Sequence, residues 1–338
     1  MSQSASGKGA AAFTLVEMLV AVTILIVILG LLFSVLQQTA ALWKGSTGKM
    51  EGFRDARTVF EAVTRTIGQA TLNNYYDYQY GANGQPIAYF SGSDLQFICG
   101  KNLLANVQTI PNPVGQSVFF QAPLGYSGTS SFTGRNGLLN ACGFYVQYGA
   151  DTTSPSFLSS IIPPRYRYRL MEFTQPSQNL SIYDPVASGT TNNWFLVPLG
   201  QNPAPVSQLA ENVVTLVLLP QLSAVSGSSS SSLAPAYEYN SRDSTSSGTY
   251  NELPPIVEVT MVVMDDASAV KLRNSPSPPN LAAGAPFTAA SQLSNDLSTL
   301  EANLSGIHGN QAANSIPLRF QVFQLSVPIL DAKWNSSN

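Results

Sequence analysis

Charge is scarce in this sequence: 16 Lys+Arg and 19 Asp+Glu in 338 residues make 10% of the chain, against roughly 25% in an average soluble domain. The net charge of −3 argues against a polyanion binder working through bulk charge, because phosphate neutralisation needs clustered Lys and Arg, and leaves only local patches open. One His and two Cys leave almost no material for a zinc site or a conventional His-based triad. Gly7-Lys8-Gly9 lacks the preceding strand and the spacing of a phosphate-binding loop. Most enzyme classes built on these residues fall away, and no cofactor is called for.

What is present is apolar. Hydrophobic residues make up 44% of the chain, with 16 Phe, 14 Tyr and 3 Trp, enough to bury a sizeable core and to exclude wholesale disorder. Met18–Leu36 is a run of nineteen residues without a charge, close to the 20 or so that span a bilayer and longer than a secretory signal core. The segment reads as a membrane anchor. Lys8 lies before it and Lys44, Lys49 and Arg54 soon after, so charge counting alone does not orient it. Glu17 stands at its N-terminal end. An ionisable group in a spanning helix is costly and tends to be functional, although Thr14 and Glu17 also have the spacing of a capping box.

Phe13-Thr14-Leu15-Val16-Glu17 followed by an apolar helix resembles the type IV prepilin signature. The resemblance implies that prepilin peptidase cuts between Ala12 and Phe13 and that the new amine on Phe13 is methylated. The family usually has Gly before the cut; here Ala12 holds that place. The resemblance further implies that Glu17 neutralises the Phe13 amine of a neighbouring subunit as helices stack in a filament core, two charges that are costly apart in a low-dielectric bundle and tolerable together.

After the anchor, residues 37–43 can continue the helix, Gly45, Gly48 and Gly52 weaken it, and helical spacing returns from Phe53 to Leu72 with Ala56, Phe60, Val63, Ile67 and Ala70 on one stripe. A sheet packed on that stripe is the simplest partner. Asn73, Asn74 and the aromatic run from Tyr75 end the helix. Candidate strands are Leu95–Cys99, Val118–Gln121, Gly143–Tyr148, Tyr166–Phe173, Trp194–Pro198, Val213–Pro220, Ile256–Met264 and Phe320–Val327. Leu293, Leu297, Leu300 and Leu304 predict an amphipathic helix that Gly306 stops. Residues 149–164, 223–251 and 274–287 read as surface loops, and His308 as a loop residue.

Ala56–Tyr78, Arg165–Phe173, Leu209–Leu219, Leu253–Asp265 and Phe320–Trp334 are similar to stretches of the pilin-like proteins of the Verru_Chthon cassette group and, more loosely, of the minor pseudopilin J of type II secretion. The fold so implied is α+β: a long N-terminal hydrophobic helix packed on an antiparallel β-sheet head with long loops. The division is a leader at 1–12, a membrane or filament-core helix at 13–37, a helix continuation at 38–74 and a β-rich head at 75–338. The implied function is that of a non-enzymatic minor pilin or pseudopilin near a filament tip. Its partners would be prepilin peptidase, other pilin or pseudopilin subunits and the inner membrane, with the head in the periplasm and no nucleic acid.

Other chemistry is weaker. Asp265 and Asp266, with Glu258 or Asp243, offer oxygens to a hard cation, but without EF-hand spacing they read as a solvated strand end. Arg165, Arg167 and Arg169 alternate along a strand and so share one face, read as exposed and polar. In an oxidising compartment Cys99 and Cys142 form either a disulfide or two buried free thiols. The rival function is a single-pass anchored ectodomain binding a surface carbohydrate or protein, with aromatics around Tyr75–Tyr80 as a sugar platform.

Overall fold

The computed structural model describes residues 15–132, 134–151, 161, 163–184, 193–222, 233–245, 249–281, 287–306 and 318–333, with the backbone alone at 40–52. The predicted leader, Ala12, Phe13 and His308 lie outside this set. The chain divides into two units, Met1–Glu51 and Gly52–Asn338. The class is α+β.

Helix α1 (Leu15–Ile67) runs through Gly45, Gly48 and Gly52. Each glycine costs about 1 kcal/mol, but propagation from good helix formers on both sides outweighs that cost. The predicted stripe holds: Ala56, Phe60, Val63 and Ile67 are buried. The helix nevertheless stops five residues before Leu72. Gly68 N–H donates to Thr64 O, Gln69 to Thr66 and Ala70 to Ile67, a tightened last turn that satisfies terminal carbonyls. A side chain at Gly68 would crowd Pro328 O at 3.2 Å and Val327 Cγ1 at 3.3 Å, so the bare backbone lets the helix end press on the C-terminal strand.

The aromatic run expected to end the helix instead forms β1 (Tyr75–Tyr80), which pairs with β2 (Pro86–Gly92) as a separate two-stranded hairpin. The main sheet is antiparallel and six-stranded, built from β3 (Ile98–Lys101), β4 (Pro113–Ala122), β5 (Asn140–Ala150), β6 (Tyr166–Gln175), β7 (Val206–Glu211) and β9 (Tyr239–Asn240) in the order β7-β6-β5-β4-β3-β9. A three-stranded antiparallel sheet, β11-β10-β8, comprises β8 (Val213–Gln221), β10 (Ile256–Met264) and β11 (Phe320–Pro328).

Asn212 takes the chain from one sheet to the other. At φ 63° it turns between β7 and β8, its N–H donating to Tyr168 O in the large sheet and its carbonyl accepting from Met264 N–H in the small one. Asn tolerates this left-handed conformation better than most residues. Strand β8 then packs across β4, β5 and β6. Gln116 of β4 locks the layers, its Oε1 accepting from Leu218 N–H at 2.6 Å. The small sheet is the partner that the α1 stripe called for: Phe60 meets Phe323 at 5.7 Å, and Leu330 N–H donates to Gly68 O.

One expected strand is a helix. Trp194–Pro198 lies in α2 (Asn193–Leu199), whose Trp194, Phe195 and Leu199 are fully buried. Phe195 stacks on Phe119 at 4.1 Å, and Trp194 donates through Nε1 to Gln96 Oε1 at 2.7 Å. Two further helices complete the fold, α3 (Asp266–Leu272), which the sequence reading missed, and α4 (Leu293–Leu304), which it placed; Leu300 and Leu304 are buried and Gly306 follows at φ 72°.

Candidate functional site

Leu15–Thr39 of α1 is 25 residues long, and among the described residues it is the one segment long and apolar enough to cross a membrane. All its side chains are exposed, from Leu15 through the run of Ile, Leu and Val to Leu36. A helix satisfies its own backbone, which is the condition for residing in hydrocarbon. Its few polar groups do likewise: Thr23 Oγ1 donates to Val20 O and Thr39 Oγ1 to Val35 O, both at 2.8 Å. Glu17 sits in the first turn, where the helix dipole favours a carboxylate. It is the sole ionisable side chain between Leu15 and Thr39.

The remaining predicted sites resolve differently. Cys99 and Cys142 are buried free thiols. Cys99 pairs with Val118, whose partner on β5 is Phe144, two residues beyond Cys142. With β4 between them and that offset, their Cα atoms are on the order of 10 Å apart, beyond the roughly 7 Å a disulfide bridges. This corrects the disulfide alternative. Burial pushes the Cys99 thiol up to about 12 and the Cys142 thiol up as well.

Asp265 is not a solvated strand end. It is buried as the N-cap of α3, accepting from Ser268 N–H at 2.8 Å. Asp266 instead meets Arg167 at 2.8 Å, and Glu211 meets the same nitrogen at 2.7 Å. Arg169 is buried and donates to Ala150 O. Arg167 and Arg169 therefore tie strands and helix together, while Arg165 is exposed just before β6, so the three do not form one open cationic face. Glu258 accepts from Gln221 and Gln324, and Asp243 from Thr245. No group of three His, Cys, Asp or Glu side chains able to hold a metal ion occurs among the described residues.

A cleft of about 670 Å³ opens beside β4 and β8, with Lys101, Tyr168, Leu281 and Leu300 in its wall. Among the described residues no carboxylate, thiol or imidazole lines it; its ionisable groups are Lys101 and Tyr168.

The β1–β2 hairpin is the other unusual surface. Tyr76, Tyr78 and Tyr80 alternate onto one face of β1, and Tyr89 joins them from β2 opposite Tyr78, with rings 4.7 Å apart. Tyr89 O–H donates to Tyr78 Oη at 3.4 Å, a bond that raises the Tyr89 phenol above its usual range.

The chain has no significant match to a family model, a curated protein or a solved structure. Any functional reading therefore stands on the residues themselves.

Proposed function

We propose that this chain is a non-enzymatic minor pilin or pseudopilin subunit, assembled into a type IV pilus or a type II secretion-like pseudopilus. The observation that carries the reading is an exposed apolar helix with one carboxylate, Glu17, in its first turn, preceded in sequence by Phe13 and Thr14. A surface of that size, mostly Leu, Ile and Val, needs lipid or like helices around it. In the proposed mechanism prepilin peptidase cuts between Ala12 and Phe13 at the inner membrane, and the helix leaves the bilayer for a bundle of identical character. Glu17 pairs there with the Phe13 amine of the next subunit. That pair fixes axial register, and the β-rich head supplies lateral or tip contacts in the periplasm.

Intact-mass and N-terminal peptide mass spectrometry on protein from native membranes tests the reading. A mature chain beginning with methylated Phe13 is the expected result. An uncut Met1 leader would overturn it and leave a single-pass anchored ectodomain, with the head as a binding module for carbohydrate or protein.

A further inference from the structure

The β1–β2 hairpin belongs to neither larger sheet. Its base is fastened by amides: Asn73 Oδ1 accepts from Asp94 and Leu95 N–H, Asn251 donates to Ser91 O at 2.6 Å, and Asn74 donates to Asn251 O at 2.8 Å. Its far end turns through Gly84 at φ 70°. A ribbon of this kind is marginal unless something packs on it, yet its tyrosine face is open, with Tyr76 81%, Tyr80 60% and Tyr89 69% exposed. Core aromatics elsewhere in the molecule are buried, so these rings do not serve the core.

The chemistry of the face narrows what covers it. No Lys or Arg occurs from Thr66 to Gly100; Asp77, on the opposite face of β1, and Asp94, at the hairpin base, repel phosphate, sulfate and uronate groups, and the Arg242 guanidinium at that base is engaged with Asp94 O. The polar groups of the tyrosine face are phenols, with the amides of Asn83 and Gln85 at its turn; Asp77 and Gln79 lie on the other face. Two strands of this length present a face of about 200 Å², set by a rise of about 3.4 Å per residue and a strand spacing near 4.8 Å. That is well short of the roughly 800 Å² per partner that a stable protein interface buries. A narrow, uncharged aromatic strip with hydroxyl and amide edges matches a flat sugar chain, whose C–H faces stack on rings and whose hydroxyls bond to phenol and amide.

We propose that the tyrosine face of this hairpin is a binding site for a neutral, extended β-linked glycan, with Tyr78 and Tyr89 as the central stacking pair and Tyr76 and Tyr80 flanking them. The site is independent of how the N-terminal helix is used, in a filament or in a bilayer.

The test is calorimetric titration of the full-length protein in phospholipid nanodiscs with cellohexaose, chitohexaose and maltohexaose. At least one of the two β-linked hexasaccharides binds, and more tightly than maltohexaose, whose chain coils. Tyr78→Ala and Tyr89→Ala each weaken binding by about tenfold or more, the size of one lost aromatic contact. Tyr78→Phe, which keeps the ring, and Phe90→Ala, on the opposite face, stay within about threefold of the parent. The thermal midpoint, measured on each variant, stays at the parent value because the hairpin stands apart from both sheets. Heat absent with both β-linked probes at millimolar concentration, binding indifferent to Tyr78→Ala, or equal affinity for maltohexaose would each overturn the proposal. So would cross-linking of two copies through the hairpin that blocks the face.

Discussion

Phe119 and Phe173 sit on strands that are not neighbours, yet their rings meet edge-on at 5.9 Å, because Gly143 on the strand between them carries no side chain. A Cβ at Gly143 would fall 2.2 Å from Phe119 Cδ1 and 2.9 Å from Val118 O. Phe119 has no room to yield, being stacked on Phe195 behind it. Gly143→Ala is therefore expected to destabilise the head by about 1–3 kcal/mol, the cost of overpacking a filled core. Urea unfolding followed by tryptophan fluorescence reads the loss directly.

Trp194 gives a second handle on the same cluster. Its indole N–H is the buried donor to Gln96 Oε1, while Gln96 also donates to Asn240 Oδ1 at 2.7 Å. Trp194→Phe keeps an aromatic ring but removes the buried donor to Gln96 Oε1, at about 1–3 kcal/mol, besides the volume lost. Pairing it with Gln96→Leu, which removes that acceptor, should recover part of the cost. Additive losses in the double-mutant cycle would count against the bond.

The cap of α3 makes a sharper comparison. Asp265→Ala removes the acceptor for Ser268 N–H and should cost about 1 kcal/mol, whereas Asp265→Asn keeps an acceptor and should cost less. Thermal midpoints of the two variants check the order.

How much of this was legible depended on the length and surroundings of each apolar run. Val213–Pro220 and Ile256–Met264 are long and β-branched, so their strands were placed within a residue. Trp194–Pro198 is short, and a short apolar run has the same pattern in a strand and in a buried helix. Tertiary stacking of Phe195 on Phe119 decided for the helix. Tyr76-Asp77-Tyr78-Gln79-Tyr80 alternates as a strand does, but both faces of its hairpin stay open, so no buried apolar face marks it and it read as the end of a helix. The two cysteines sit at strand positions that the sequence could find, but their diagonal placement across β4 is a matter of sheet order, which one sequence does not carry. Nor did composition reveal that Arg167 and Arg169 serve as ties, since their partners Glu211, Asp266 and Ala150 come from other elements.

The buried thiols predict an alkaline limb of stability. Burial raises Cys99 from 9.0 to about 12 and raises Cys142, and the phenols of Tyr145, Tyr168 and Tyr239 are raised from 10.0 by burial too. All these groups ionise more readily unfolded than folded. Their contribution is thus fully present below the unfolded values and is lost as pH climbs toward the folded ones, from about pH 9 upward. The midpoint should be flat near neutrality, insensitive to reductant, and fall steeply above pH 9. Cys99→Ala with Cys142→Ala should make that fall shallower. In the native protein a thiol reagent at pH 8 should find no reactive cysteine, and two after denaturation.

The filament reading makes its own demand on Glu17. The apolar surface from Leu15 to Thr39 supports insertion without any charge, and a carboxylate at the helix start adds nothing to residence in lipid. If Glu17 pairs with the Phe13 amine of a neighbour, Glu17→Ala leaves that amine unpaired in a dry bundle, which is far more costly than in a wet interface. Glu17→Ala is therefore expected to stay in the membrane fraction at parent abundance while its recovery in sheared filaments drops by an order of magnitude, and Glu17→Asp should fall between the two. Quantitative immunoblots of membrane and sheared fractions separate the cases. Undiminished recovery of the alanine variant would remove the pairing and leave Glu17 as a helix cap at the membrane interface.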